Sequence, residues 1–236
     1  MLNFIIILLS LIMLTKVFSA PPTQAPPLAP AKAYIMALQW PVTVCLVKQC
    51  KEKKTPPPES FKLHGLWPCA PDWDSSVENC PGPDFSGSAL KDIRGDLLTY
   101  WPSLLEPENQ FWKHEWLVHG TCSGLPLEHY FADGVRLTQL NARPILSALS
   151  KSGIKPGDVT ATATATPIAI RDAIANNFGV HPKLACAYNN NMYLLKEIHL
   201  CLDQNYKFED CPDKKWLKNC GPPTKEGQTK IRLPSN

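Results

Sequence analysis

The stretch Phe111–Cys122, FWKHEWLVHGTC, places two histidines and a glutamate within six positions, hemmed by tryptophans and closed by Gly-Thr-Cys. It follows Pro107-Glu108, a helix-opening pair, and a helix from there runs through 111–118 and stops at Gly120. At roughly 100° per residue, with His114 set at about 0°, Val118 falls near 40°, Phe111 near 60°, Glu115 near 100° and His119 near 140°. These five share one broad face, while Trp112, Trp116 and Leu117 point elsewhere and can pack. Such a helix is buried on one side and borders a cleft on the other.

HEWLVH is one residue longer than the zinc-protease motif H-E-x-x-H. That motif sets its histidines at i and i+4 so that both reach one ion. Here the spacing is i and i+5, about 140° apart on an ideal helix, so no metal and no other cofactor is expected. A single histidine on a helix is most often a hydrogen-bonded core or surface group. A His-Glu-His set on one face, with another histidine in the tight segment KLHGLWP (62–68), points to chemistry instead. Two imidazoles near their reference pKa suit general acid–base catalysis at mildly acidic to neutral pH. Such a pair fits phosphoryl transfer without a metal. No G-x-S-x-G, papain-type cysteine signature or Walker-type loop competes.

Working outward, the 236-residue chain begins MLNFIIILLSLIMLTKVFSA. The apolar run from Leu2 to Leu14 is too short to span a bilayer. Val17 and Ser19 sit at the small-residue offsets for cleavage before Ala20, so residues 1–19 read as a secretory signal peptide, with no membrane anchor. Residues 20–33, rich in Pro and Ala, read as a disordered arm, and residues 34–236 as a single domain. Nine cysteines all lie beyond the leader. In a secreted chain they imply four disulfides and one leftover thiol; a zinc cluster is disfavoured because no C-x-x-C occurs. Without the leader the net charge is about +2, which does not by itself imply nucleic-acid binding. No N-x-[S/T] sequon is present, so no N-glycan is expected.

The segments 34–45 and 61–67 read as strands, the second ending near Gly65 and Pro68. Ser88 can cap a helix through Leu98. Residues 126–140 and 143–153 read as two further helices. The Thr/Ala alternation at 160–166 is strand or loop; Thr166-Pro167 then starts a helix that Gly179 stops. KLACAY, MYLLKEIHLCLD and YKFEDC read as closing strands. Helices in the middle and strands at both ends suggest an α+β fold with a largely antiparallel central sheet and several helices, stapled by disulfides.

FKLHGLWP and FWKHEWLVHGTC together resemble the two active-site segments of the ribonuclease T2 family, most closely its plant branch of self-incompatibility S-RNases and S-like RNases. The likeness runs from QWP at 39–41 to the cysteines near 220. It implies metal-independent cleavage of single-stranded RNA through a 2′,3′-cyclic phosphate, with DNA spared for want of a 2′-hydroxyl. By motif position, His119 resembles the general base, His64 the general acid, His114 the phosphate-binding histidine and Glu115 the acidic residue that stabilises the transition state. Gln39, Leu105 and Phe111 fall where plant relatives contact a base. The plant cysteine pattern implies the pairs Cys45–Cys50, Cys80–Cys122, Cys186–Cys220 and Cys201–Cys211, leaving Cys69.

One position departs from the family. Lys normally precedes the last histidine of the second segment, and here it is Val118. Lys113 lies about 140° away around the helix and cannot stand in for it. A slower but active enzyme is expected. A non-enzymatic storage or binding relative is the alternative, against which the retained His64, His114, Glu115 and His119 speak. The slightly basic charge favours a pistil S-RNase role, in which pollen F-box-type proteins would be partners. The missing sequon favours an S-like role in phosphate scavenging or defence.

Overall fold

Strand pairing gathers both ends of the chain into one sheet. The computed structural model describes residues 31–51, 58–73, 76–157, 164–214, 216–222 and 228–236. The expected leader, the arm up to residue 30 and residues 160–163 of the Thr/Ala run lie outside them. Strand β1 (Ala33–Gln39) is buried along its whole length. It lies between β2 (Lys62–Cys69) and β4 (Met192–Asp203), antiparallel to both. β3 (Lys183–Asn189) continues the sheet antiparallel to β4. Short strands complete it: β5 (Phe208–Glu209) is antiparallel to β4, β6 (Leu217–Lys218) parallel to β3 and β7 (Ile231–Arg232) parallel to β4. The sheet is therefore largely antiparallel, with two short parallel edges that periodicity does not disclose.

Five elements differ from the sequence reading, the first being the helix expected from Ser88 to Leu98, which is a 3₁₀ segment with Ser88 inside it followed by a helix from Arg94. The arm is ordered at its end, because Ala31 N–H donates to the Ser123 carbonyl and Ala33 opens β1. The first strand stops at Gln39, since Pro41 takes the first position of helix α1 (Pro41–Val47), where its missing N–H costs nothing. The second strand runs on through Gly65 and Pro68 to Cys69. The two helices expected at 126–140 and 143–153 are one. After a 3₁₀ segment (Gly87–Ile93), α2 (Arg94–Tyr100) and α3 (Glu108–Val118), helix α4 runs unbroken from Leu127 to Lys151 with Pro144 inside it. Pro144 and Leu140, whose carbonyl loses its helical donor, both face solvent, so water can serve the orphaned oxygen.

Helix α5 (Pro167–Phe178) begins and ends as the sequence suggests: the Thr166 hydroxyl accepts from Ala169 N–H, and Gly179 adopts φ 72°. α4 packs on β1 and β2, α5 on β3, and α1 on β3 and β4. Trp40, Trp101, Trp112, Trp116, Tyr130 and Phe131 are fully buried in this core. Their polar atoms are spent on backbone: Trp112 Nε1 donates to the Trp101 carbonyl, Trp116 Nε1 to that of Pro83 and Tyr130 Oη to that of Leu66. The structure bonds Cys45 to Cys50, Cys80 to Cys122, Cys186 to Cys220 and Cys201 to Cys211, and Cys69 is a buried free thiol. Among the described residues no helix is long and apolar enough to cross a membrane.

Candidate active site

Two bulges shape the site. In the β1–β2 ladder Ala37 pairs with Gly65 and Leu38 with Leu63, so His64 has no partner. Such an extra residue bends the strand and re-aims its side chain. The His64 carbonyl is taken instead by Trp101 Nε1 at 2.8 Å. In the β3–β4 ladder Ala185 pairs with Glu197 and Cys186 with Leu195, leaving Lys196 unpaired. Its carbonyl accepts from Trp40 N–H at 2.8 Å. The first bulge takes His64 out of its ladder position across β1 from Glu197, which itself stays in register with Gln39 and Ala185.

α3 brings the rest. His64, His114 and Glu115 line a cleft of about 170 Å³ together with Gln39, Leu105 and Phe111. His119, which the sequence puts on the same face, is not among the lining residues; its ring lies 5.5 Å from that of Trp67 and 6.4 Å from that of His114. The Trp67 ring is 5.2 Å from that of His64, so the indole stands against both His64 and His119. Ser103, Leu104 and Glu106 also line the cleft. The Phe111 and His64 rings are nearly parallel, 6.4 Å apart. Gln39 Nε2 approaches the Leu63 carbonyl at 3.4 Å.

The electrostatics of the two flanking imidazoles are opposite. His119 is 8% exposed, and burial pushes it down to about 4; Glu78 works the other way, and the charges of His114 and His64 add to the depression. His64 moves upward. Burial opposes its charge, but the contact with Glu197 and that carboxylate's charge outweigh it, Glu115 adds to the rise, and Lys196 opposes it. Glu115 is 1% exposed, and burial pushes its carboxyl up to about 7 against the pull of His64 and of the hydrogen bond from Trp67. A neutral imidazole, a charged imidazole and a carboxyl able to keep its proton thus coexist at mildly acidic pH.

The ideal-helix angle used against a shared metal does not describe His119. That residue ends the helix with φ −115° and ψ −50°, so its side chain leaves the i+5 direction. One donor atom each from His114, Glu115 and His119 lie within 4.8 Å of one another. Zinc ligands bind at about 2.0–2.2 Å, so these three would have to draw together to share an ion. They are the residues that could hold one.

The sequence reading missed Glu197, Lys196 and His199 on β4 and Trp67 on β2. The one available signal was Lys196, Glu197 and His199, charged or titratable groups in the otherwise apolar run YLLKEIHLCL.

The Ribonuclease T2 family model matches residues 31–211. Ribonuclease DdI of Dictyostelium discoideum is 36% identical over 186 residues, 76% of this chain and 78% of that one. Ribonuclease 3 of Arabidopsis thaliana is 32% identical over 190 residues, 76% of this chain and 82% of that one. The structure of RNase NT in complex with 5′-AMP superposes with a TM-score of 0.71 at 27% identity, covering 87% of this chain and 99% of that one. With the two-segment cleft described above, these likenesses make the chain a T2-type ribonuclease, a member of the ribonuclease T2 family.

Proposed function

We propose that the protein is a secreted endoribonuclease that cleaves single-stranded RNA by transphosphorylation, without a metal. The observation that carries this is the placing of His64 and His119 against one indole with their imidazoles shifted in opposite directions. Neutral His119 takes the proton of the 2′-hydroxyl as its oxygen attacks phosphorus. Protonated His64 gives its proton to the departing 5′-oxygen. The products are a 2′,3′-cyclic phosphate and a free 5′-hydroxyl, with His119 charged and His64 neutral. Glu115, protonated up to about pH 7, can donate to a phosphorane oxygen, and His114 on the cleft wall can pair with the phosphate. Gln39, Leu105 and Phe111 give the cleft the apolar and amide lining a nucleobase needs, and RNase NT takes a nucleotide, 5′-AMP.

Secretion is supported by the leader-like residues 1–19 and by the four disulfides, which persist in oxidising compartments. The pistil role, with its pollen partners, draws on a slight positive charge; the scavenging or defence role draws on the missing sequon. The nuclease chemistry is common to both.

The test is incubation with single-stranded RNA in the presence of a chelator, followed by analysis of the ends. Cyclic-phosphate ends are expected, and His119→Asn is expected to abolish them. Chelator-sensitive cleavage, or cleavage undiminished in the variant, would overturn the mechanism.

A further inference from the structure

The proton-donating histidine has a partner that neither active-site segment contains. Glu197, on the strand beyond β1, is 4% exposed. Its Oε1 lies 3.3 Å from His64 Nδ1 and 2.9 Å from Lys196 Nζ, and its Oε2 lies 2.7 Å from His199 Nε2. One buried carboxylate therefore serves three cationic or titratable groups. His64 Nδ1 and Glu197 Oε1 are both shut off from solvent and face each other as an ion pair at 3.3 Å without a well-aligned hydrogen bond, although a third of the His64 side chain is open. The ring thus presents its other edge to the cleft.

We propose that Glu197 is a positioning residue for catalysis: it grips the Nδ1 edge of His64 so that a protonated ring faces the cleft and hands its other proton to the leaving 5′-oxygen. The inference rests on the acid–base reading above. When that proton leaves, Nδ1 keeps its own proton against Glu197, so the neutral ring is in the tautomer that can be recharged from the cleft. His199 holds the second oxygen and fixes the carboxylate's plane, with its own ring edge-on to Trp67 at 5.5 Å. Lys196 competes for the first oxygen.

The charges around His64 agree with this geometry. From β4 they are Glu197, Lys196 and His199; from α3 and its end they are His114, Glu115 and His119. Burial works against ionised Glu197, but the hydrogen bond from His199 and the contact with His64 hold its carboxyl well below the usual range, so it is an anion wherever the enzyme works.

Two substitutions with opposite signs test it. Glu197→Gln keeps the shape and removes the charge. The alkaline limb of kcat/KM should move to lower pH, with kcat at pH 7 falling about tenfold or more and KM within about twofold. Glu197→Asp should restore part of the loss. Lys196→Met, at a partly exposed position, removes the competing ammonium and should move the alkaline limb to higher pH. Titration of His64 followed by NMR should shift in the same directions. If His64→Asn and His119→Asn abolish cleavage but neither Glu197→Gln nor Lys196→Met moves the limb or the His64 titration, the role of Glu197 is wrong. Should Glu197→Gln fail to fold, Lys196→Met decides: an unmoved limb overturns the proposal. If the two histidine variants still cleave, the acid–base reading itself is wrong.

Discussion

Trp67 Nε1 donates to Oε2 of Glu115 across 3.2 Å, joining the sheet to α3 beside the cleft. The contact exists because residue 65 has no side chain. A Cβ on Gly65 would overlap the indole nitrogen of Trp67 and come within 2.5 Å of Glu115 Oε2. Trp67→Phe should therefore leave the buried carboxyl without its donor. Unfolding free energy should fall by about 1–3 kcal/mol, the cost of a buried polar group left unsatisfied, and kcat should drop more than KM rises. Gly65→Ala should lose activity for the same reason while keeping both partners. Denaturant unfolding and steady-state kinetics check both. A Gly65→Ala variant of full activity would show that the Trp67–Glu115 contact does not matter to turnover.

The pH dependence follows from the two imidazoles. His119 must be neutral to accept a proton, and it loses that state only as pH falls towards about 4. His64 must be charged, and it stays so beyond the ordinary value of 6.5. kcat/KM on a dinucleotide should rise with a limb near pH 4, peak in the mildly acidic range and fall above 6.5. Glu115 loses its proton near 7 and adds to the decline. An acid limb at 6.5, or an optimum above 8, would contradict the opposite shifts of the two imidazoles on which the assignment rests.

Val118 occupies the helical position where the family resemblance calls for Lys. Restoring a charge-stabilising donor beside the scissile phosphate should raise kcat, since loss of one such donor costs on the order of 10²–10³ in other enzymes. Val118→Lys should gain about tenfold or more in single-turnover rate. Unchanged or lower turnover would mean that position 118 does not face the developing charge.

Phe111 is 9% exposed and nearly parallel to His64 on the cleft wall. A base stacked on such a ring is worth about 1–3 kcal/mol. Phe111→Leu keeps the packing and removes the π face, so KM should rise by about fivefold or more with kcat within a few-fold. A KM that does not move would place the base elsewhere.

Cys122 lies in the 3₁₀ turn (Gly120–Ser123) just beyond α3 and is bonded to Cys80, closing a 42-residue separation. Replacing both by Ala should lower stability by about 2–5 kcal/mol. Because this bond ties the end of the helix that carries His119 to the loop after β2, activity should fall at temperatures well below the unfolding midpoint. Parallel loss of activity and fold would argue against a separate effect on the site.

The cleft was largely legible because its chemistry lies in two short segments whose residues are close in sequence. His64, His114 and Glu115 line the cleft, as the two segments suggested, whereas His119, expected on the same face of the helix, is not among the lining residues and stands with its ring 6.4 Å from that of His114. What could not be read was decided by distant pairing. Glu197 meets His64 only because their strands flank β1 and the bulge on β2 frees His64 from the ladder, while Glu197 itself stays in register with Gln39 and Ala185. Likewise Pro144 looked like the start of a helix because its cost inside one depends on solvent reaching the carbonyl of Leu140. The angle assigned to His119 failed where the helix itself stopped.

The bulge at His64 has a second effect. β2 stands at the end of the strand order, where an unbroken row of amides would invite a strand from another molecule. The His64 carbonyl that the bulge frees is taken by Trp101 Nε1, that of Leu66 by Tyr130 Oη and that of Pro68 by Val77 N–H, so an incoming strand would find no continuous row to pair with. A variant that lost Trp101 or Tyr130 would bare those carbonyls and would be the one to watch for self-association.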